Sequence, residues 1–371
     1  MTQVAGDAAG SEAVAASQAG PASQAEAASQ AEAPRPLRVG IIGAGNIARN
    51  HVKGYTAAGA QVVAIADTNP LTLETRAAEW SVRHTFGDFR DLLALPGLDA
   101  VSICTPNAAH HAPTLAAAAA GIDVLCEKPI SLSLTEADEM IAACREAGVV
   151  LQVDHHLRSN RAVARARQMI QSGELGRLTF VRLRQAHDWS GAAEVPPGFR
   201  MRSLAGGGTL LDNGCHLFDL ARYLGGPVAE VFCRTATLKF DIELEDTAAV
   251  SLLFESGALG EIETAWTATG WDQGFWVNGT KGALEYSERS GRPILRHVYR
   301  DPGNITWDDP QAESWQTPAG SDHSLAVASF LAAVQGTGPI VCSGEDGRDA
   351  VRLALASYDS AALGLPVSIP N

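Results

Sequence analysis

Leu37-Arg38-Val39-Gly40-Ile41-Ile42-Gly43-Ala44-Gly45-Asn46-Ile47-Ala48 decides the fold. An apolar run ends in glycines and a helical stretch follows to about Ala58, which reads as strand, tight turn and helix. In the pattern G-x-G-x-x-A, Gly43 makes the turn, Gly45 lets a pyrophosphate approach the backbone, and Ala48 permits close helix–strand packing. The helix start, with Asn46 and Ile47, presents free N–H groups to phosphate. A second apolar run, Gln61 to Ala66, ends in Asp67, about twenty residues on. A carboxylate there bonds the ribose hydroxyls of a dinucleotide and repels a 2′-phosphate. Thr68-Asn69-Pro70 brings no arginine, so the pattern predicts NAD rather than NADP.

The alternation continues with helices near 71–80, 89–95, 112–120 and 136–147, and strands near Thr85, 100–105, 124–127 and 149–153. Strands alternating with helices of this length predict a doubly wound parallel sheet over residues 35–155. After Arg158 the pattern changes. One helix over 160–172 is followed by strands at 178–183, 228–235, 248–254, 258–265, 275–278 and 283–286, with closing helices near 324–334 and 346–363. This predicts an α+β domain over 156–371, built on a largely antiparallel open sheet.

Cys126-Glu127-Lys128-Pro129 ends a predicted strand of the first domain. A lysine there projects into the crevice where open α/β sheets bind ligands, and Pro129 holds it in extended geometry. Read in isolation the stretch fits a surface lysine in a strand-to-helix loop better, and it is the neighbouring motifs that favour the ligand crevice. Thr105-Pro106-Asn107 ends another strand at the same edge, where Asn107 either lines the cofactor or caps the next helix.

In the second domain, Gly206-Gly207-Gly208-Thr209-Leu210-Leu211-Asp212-Asn213-Gly214-Cys215-His216 carries an acid and an imidazole four apart, on one face if the stretch is helical. The glycines are expected to let the chain approach a ligand. A local Asp–His bond, a solvated pair and half a metal site are competing readings. No further ligand is spaced to complete a tetrahedral set, so no metal is expected.

Thr105-Pro106-Asn107-Ala108-Ala109-His110, Ala119-Ala120-Gly121 and Cys126-Glu127-Lys128-Pro129, with the glycine turn and Asp67, resemble the family of glucose-fructose oxidoreductase, inositol dehydrogenase and MocA. The resemblance spans about residues 36–368. It includes Gly279-Thr280-Lys281-Gly282 and Ser343-Gly344-Glu345-Asp346-Gly347. It implies a Rossmann domain and a C-terminal α+β domain, a bound NAD, and a sugar, cyclitol or other polyol substrate oxidised at a secondary alcohol. Lys128, Asp212 and His216 are the implied catalytic residues. His216 takes the hydroxyl proton, Lys128 polarises the oxygen, and Asp212 orients His216 or accepts a bond from a substrate hydroxyl. Gly43, Gly45, Asn46, Ile47, Asp67, Thr105, Pro106, Asn107, His110, Glu127 and Lys128 would contact the cofactor. Asp154-His155-His156-Leu157-Arg158 departs from the family pattern and sets His156 and Arg158 towards the substrate, although packing would equally explain either histidine. Homodimers or homotetramers are implied as well. Two other functions stay open: glycoside processing with tightly held NAD and no net redox, and a non-catalytic dinucleotide-binding regulator.

The 371 residues, 46% hydrophobic and 19% charged, suffice for two packed domains. A net charge of −14 argues against nucleic acid as a partner. Six dispersed cysteines without a C-x-x-C pair suit a reducing compartment. Residues 1–34, rich in Ala, Ser and Gln, bury too little to order and carry no secretory pattern. No run reaches transmembrane length, so a cytoplasmic protein is expected. Trp189, Trp266, Trp271 and Trp276 are read as sheet core or subunit interface rather than site.

Overall fold

The computed structural model describes residues 35–188, 200–288, 294–301, 304–305 and 322–370. The tail 1–34, expected to be disordered, and Trp189 lie outside them.

The first half alternates β1 (Arg38–Ile42), α1 (Ala48–Ala57), β2 (Gln61–Ala66), α2 (Pro70–Trp80), β3 (His84–Phe86), α3 (Phe89–Leu93), β4 (Ala100–Ile103), α4 (His111–Ala119), β5 (Asp123–Cys126), α5 (Leu134–Ala147) and β6 (Leu151–Val153). All six strands run parallel in the order β3-β2-β1-β4-β5-β6. That is the doubly wound order, and it puts the switch point between β1 and β4. Its central strands are buried on both faces, as their unbroken apolar runs require.

Local chemistry sets the helix ends. Asn69 caps α2 by accepting from the N–H groups of Leu71 and Thr72, with Pro70 at the first helical position. Ser133 caps α5, and Gly148 at φ +69° ends it. The start of α1 has no side-chain cap. The Arg49 and Asn50 N–H groups donate instead to the Asn46 and Ile47 carbonyls at 3.2 and 2.9 Å.

The second half holds α6 (Arg161–Gln171), β7 (Leu178–Asp188), α7 (Arg202–Ala205), α8 (Thr209–Gly225), β8 (Val228–Ala236), β9 (Thr247–Phe254), β10 (Leu259–Ala265), β11 (Thr267–Gly279), β12 (Gly282–Ser287), β13 (Ile294–Asp301), β14 (Asn304–Ile305), α9 (Asp322–Val334), α10 (Gly344–Leu363) and β15 (Val367–Ser368). The sheet order is β14-β13-β12-β11-β7-β10-β9-β8-β15, antiparallel except for the β7–β10 pair. The α/β fold class read from the sequence is the one observed. In β9 the burial alternates residue by residue, so one sheet face packs on α8 and α10 and the other stays open.

Two strands outrun their predicted spans: β7 continues to Asp188, and β11 begins at Thr267 rather than Phe275. Between Thr267 and Asp272 their pairing shifts register. The irregularity breaks the period-2 pattern from which the strand was read. Ser343 and Asp346 form a reciprocal capping box at the start of α10. Trp266 and Tyr286 are core residues; Trp271 is half exposed.

Candidate active site

Gly43 sits at φ +87°, and a Cβ there would meet the Cys104 carbonyl at 2.6 Å and the Thr105 nitrogen at 2.7 Å. Only glycine lets the turn cross the end of β4 so closely. At Gly45 a Cβ would meet nothing within 4 Å, so this position faces open space. The Asp67 carboxylate accepts the Ala44 N–H at 2.8 Å and the Asn69 N–H at 2.8 Å. It is thereby fixed against the glycine turn.

These groups open onto a cavity of about 1050 Å³. Gly43, Gly45, Asn46, Ile47, Asp67, Thr105, Pro106, Asn107, Glu127, Lys128 and Asp212 all line it. A helix start without a side-chain cap, an open Gly45 and a fixed acid at the second strand's end fit a dinucleotide.

His110 does not line it. Its ring is buried, with Nδ1 2.8 Å from the Pro129 carbonyl and Nε2 3.0 Å from the Thr105 carbonyl. With both ring nitrogens taken by backbone, His110 ties the β4 loop to the β5 loop, correcting its expected cofactor contact. Asn107 does not cap α4; its amide donates to the Ala205 carbonyl at 3.0 Å, joining the cavity edge to α7. Arg90 lines the cavity from the start of α3, beside Asp88, which accepts its N–H groups at 3.1–3.2 Å. The search for arginines immediately after Asp67 missed it.

Lys128 leaves the carboxyl end of β5 through a cis bond to Pro129. Glu127 accepts the Lys128 N–H at 3.1 Å, and its other oxygen lies 2.8 Å from His51 Nε2. Lys128 Nζ reaches Asp212 Oδ1 at 2.6 Å and donates to the Asp212 carbonyl at 3.2 Å. Burial works against the ammonium, but the Asp212 charge outweighs it and raises the Lys128 pKa.

One turn along α8, His216 is 3% exposed. Its ring packs edge-on against His155 and His156, with centroids 5.3 Å and 4.6 Å away. Its Nδ1 lies 3.4 Å from His155 Nδ1. Burial first, then the neighbouring imidazoles and Lys128, push its pKa well below 6.5. His216 is therefore a neutral imidazole. Asp212 and His216 share a helix face, but the Asp212 carboxylate is bonded to Lys128, so the expected orienting contact to His216 is replaced.

The glycines before α8 make room for protein rather than for a ligand. A Cβ on Gly207 would strike the Tyr358 hydroxyl, and one on Gly208 the Glu245 carbonyl. His156 packs between His216 and His323, stacked on the latter at 3.6 Å. Arg158 does not line the cavity. It makes a fork to Asp219 at 2.6 and 2.8 Å and reaches Asp346 at 2.9 Å and the Val341 carbonyl at 3.0 Å. Two carboxylates engage the guanidinium that the resemblance set towards the substrate.

Sequence reading also missed His187. The extended β7 brings it beside Asp212 and Asn213, and it stacks on Trp271 at 5.6 Å with 13° between planes. Burial is the main cause of its lowered pKa. An aromatic near a predicted strand end was the available signal, hidden by the register shift in β11.

Residues 37–155 match the family model described as an oxidoreductase family with an NAD-binding Rossmann fold, and residues 163–285 match the GFO/IDH/MocA C-terminal domain. The chain belongs to the Gfo/Idh/MocA oxidoreductase family. It is 34% identical to a 1,5-anhydro-D-fructose reductase of Ensifer adhaerens over 90% of this chain and 98% of that one. It is 30% identical to a myo-inositol 2-dehydrogenase of Thermotoga maritima, over 87% and 96%. Among solved structures, a levoglucosan dehydrogenase in complex with NADH and levoglucosan superposes with a TM-score of 0.80 at 27% identity, covering 91% of this chain and all of that one. The Gfo/Idh/MocA chain described here is accordingly an NAD-dependent oxidoreductase.

Proposed function

We propose that this Gfo/Idh/MocA chain is a dehydrogenase that moves a hydride between nicotinamide C4 and a secondary alcohol of a sugar, cyclitol or sugar derivative. The observation that carries the reading is the pairing of Lys128 with Asp212 at 2.6 Å on the wall of the cavity lined by Gly43, Gly45 and Asp67. When bound, NAD supplies the hydride acceptor. The glycine turn and helix start would hold its pyrophosphate, and Asp67 its adenosine ribose.

Oxidation of an alcohol also requires a proton acceptor and a counter-charge for developing alkoxide. Lys128, held as an ammonium by Asp212, provides the charge and is a poor base. His216, neutral and one turn away, takes the hydroxyl proton. Asp212 keeps Nζ aimed and has a second oxygen to accept a neighbouring substrate hydroxyl, as a polyol offers. His187 and Trp271 give the site an aromatic edge suited to a sugar's apolar face.

In this reading residues 35–155 bind NAD, while residues 156–371 bind substrate and mediate assembly. Six buried thiols, none in a disulfide, support a cytoplasmic setting. No helix among the described residues is long and apolar enough to cross a membrane. Exposed Leu259 and Leu253, near the open sheet face, support a homodimer or homotetramer. A monomer mass by light scattering at micromolar concentration would contradict the assembly.

A cofactor-reduction screen tests the activity: NAD and NADP in parallel against inositols, aldoses, sugar acids and glycosides. NAD-dependent reduction by one class, lost in Lys128→Ala and His216→Ala, is the expected result. Glycoside cleavage without cofactor reduction overturns it in favour of chemistry with no net redox. Tight NAD binding with no product from any class favours the regulator.

A further inference from the structure

Behind Lys128 lies a second group of chemistry-bearing side chains, of which Glu127 alone also lines the cofactor cavity. We propose that His51, Glu127, Asp154 and His323 form a binding site for one divalent transition-metal ion, zinc by the chemistry of the donors. The four come from α1, the end of β5, the end of β6 and the start of α9. All four are buried, and one donor atom from each lies within 4.8 Å of all the others. His51 Nε2 is 2.8 Å from Glu127 Oε1 and 3.3 Å from Asp154 Oδ2, and His323 Nδ1 is 2.9 Å from the same Asp154 oxygen.

Zinc bonded at about 2.0–2.2 Å in a tetrahedron sets its donors about 3.3–3.5 Å apart. The observed spacings bracket that figure, so side-chain adjustments of about an ångström would complete the set. Two imidazoles with two carboxylates suit zinc better than calcium or magnesium, which prefer oxygen alone. Four protein donors leave no open position, the arrangement of a structural rather than a catalytic ion.

Two independent observations point the same way. The first is an oxygen that the protein leaves without a partner: Asp154 Oδ1 is buried and bonds to nothing among the described residues. A cation held by this carboxylate would bring positive charge to the group that the protein leaves partly unsatisfied. The second is an outer layer that already orients the ligands. His51 Nδ1 lies 3.0 Å from Ser102 Oγ, which is 2.7 Å from the Tyr55 hydroxyl, so Nε2 is aimed inward. Glu127 keeps its other oxygen on the Lys128 N–H at 3.1 Å. Metal ligands are held in this way by their own hydrogen bonds. The His323 side chain, 11% exposed, is the most accessible of the four.

Charge favours a cation between the four side chains. Two carboxylates gathered in a water-poor interior are costly unless positive charge lies beside them, and a divalent ion between the four donors supplies it. An ion would clamp Glu127, and with it the backbone of Lys128, to α1 and α9. The site is separate from the cofactor cavity apart from Glu127, and the proposal stands whether or not the hydride reading does.

The test uses the full chain, stripped with a chelator and then dialysed against zinc. Metal content is read by mass spectrometry, and affinity by competition with a chromogenic chelator. One zinc per chain is expected, with affinity falling by at least about tenfold in Asp154→Asn and in His323→Gln while NAD binding is retained. Cobalt in place of zinc should give visible bands of a tetrahedral nitrogen–oxygen set. Absence of stoichiometric zinc at micromolar concentration overturns the proposal, as does undiminished binding in both variants. If Asp154→Asn fails to fold, His323→Gln at the rim and the cobalt spectrum of the unaltered chain decide. Intense sulfur-to-cobalt bands, the mark of the cysteines, also overturn it.

Discussion

Lys128 Nζ and Asp212 Oδ1, 84 residues apart in the chain, meet at 2.6 Å where the end of β5 faces the first turn of α8. This charge pair joins the NAD-binding Rossmann half to the C-terminal half at the cavity wall. Its loss should be felt in kcat. Lys128→Ala and Asp212→Asn are each expected to lower kcat by about 10²–10³, the usual cost of removing one group that stabilises developing negative charge. NAD titration by fluorescence checks that the cofactor still binds. Equal losses of cofactor affinity and turnover would reassign Lys128 to binding alone.

The pH profile should follow His216. Burial and four cationic or imidazole neighbours hold its pKa well below 6.5, so the base is already deprotonated at pH 6.5 and protonates only as pH falls further. In the oxidation direction kcat/KM should therefore stay flat from neutrality down past pH 6.5, with its acid limb below that value. His216→Ala is expected to lose about 10²–10⁴ in rate and the limb with it. A limb centred at or above 6.5 in the parent would assign the base elsewhere.

The sequence disclosed what neighbouring residues decide together. The β1 turn and α1 were legible because glycine spacing, apolar runs and the acid at Asp67 all lie within about thirty residues. Lys128 was legible because Pro129 and the preceding apolar run mark a strand end. Contacts across long separations were hidden. Nothing near Arg158 announces Asp219 or Asp346, and nothing near Gly208 announces the Glu245 carbonyl that excludes a side chain there. His187 was hidden by a register shift that only pairing with β7 defines. The buried set His51, Glu127, Asp154 and His323 has no motif, because its members come from four elements spread over most of the chain.

Cofactor choice should turn on Asp67 and Arg90 together. Asp67 faces the cavity while fixed by the Ala44 and Asn69 N–H groups, and Arg90 stands on the same cavity wall, engaged by Asp88. Asp67→Ser removes the repelling charge and leaves the guanidinium. The ratio of kcat/KM with NAD to that with NADP is expected to fall by at least about tenfold. Asp67→Ser combined with Arg90→Ala should lose the gain with NADP and keep the loss with NAD. An unchanged ratio in the single variant would show that neither group reads the 2′-position.

Arg158 should report on stability and not on substrate. Its side chain is 5% exposed and is held by Asp219 and Asp346, whose own carboxyl is pushed below 3.8 because the Arg158 bond overcomes the effect of burial. Arg158→Met leaves Asp219 buried without its partner, a change expected to cost about 3–5 kcal/mol in urea unfolding at pH 7. A carboxylate with a lowered folded pKa contributes stability above its unfolded value and loses it as pH falls through the folded one. The gap between parent and variant should therefore narrow as the pH drops below 3.8. At 20 °C and neutral pH, KM for the substrate should match the parent's in the folded fraction. A raised KM with unchanged stability would return Arg158 to the substrate site and overturn the structural assignment.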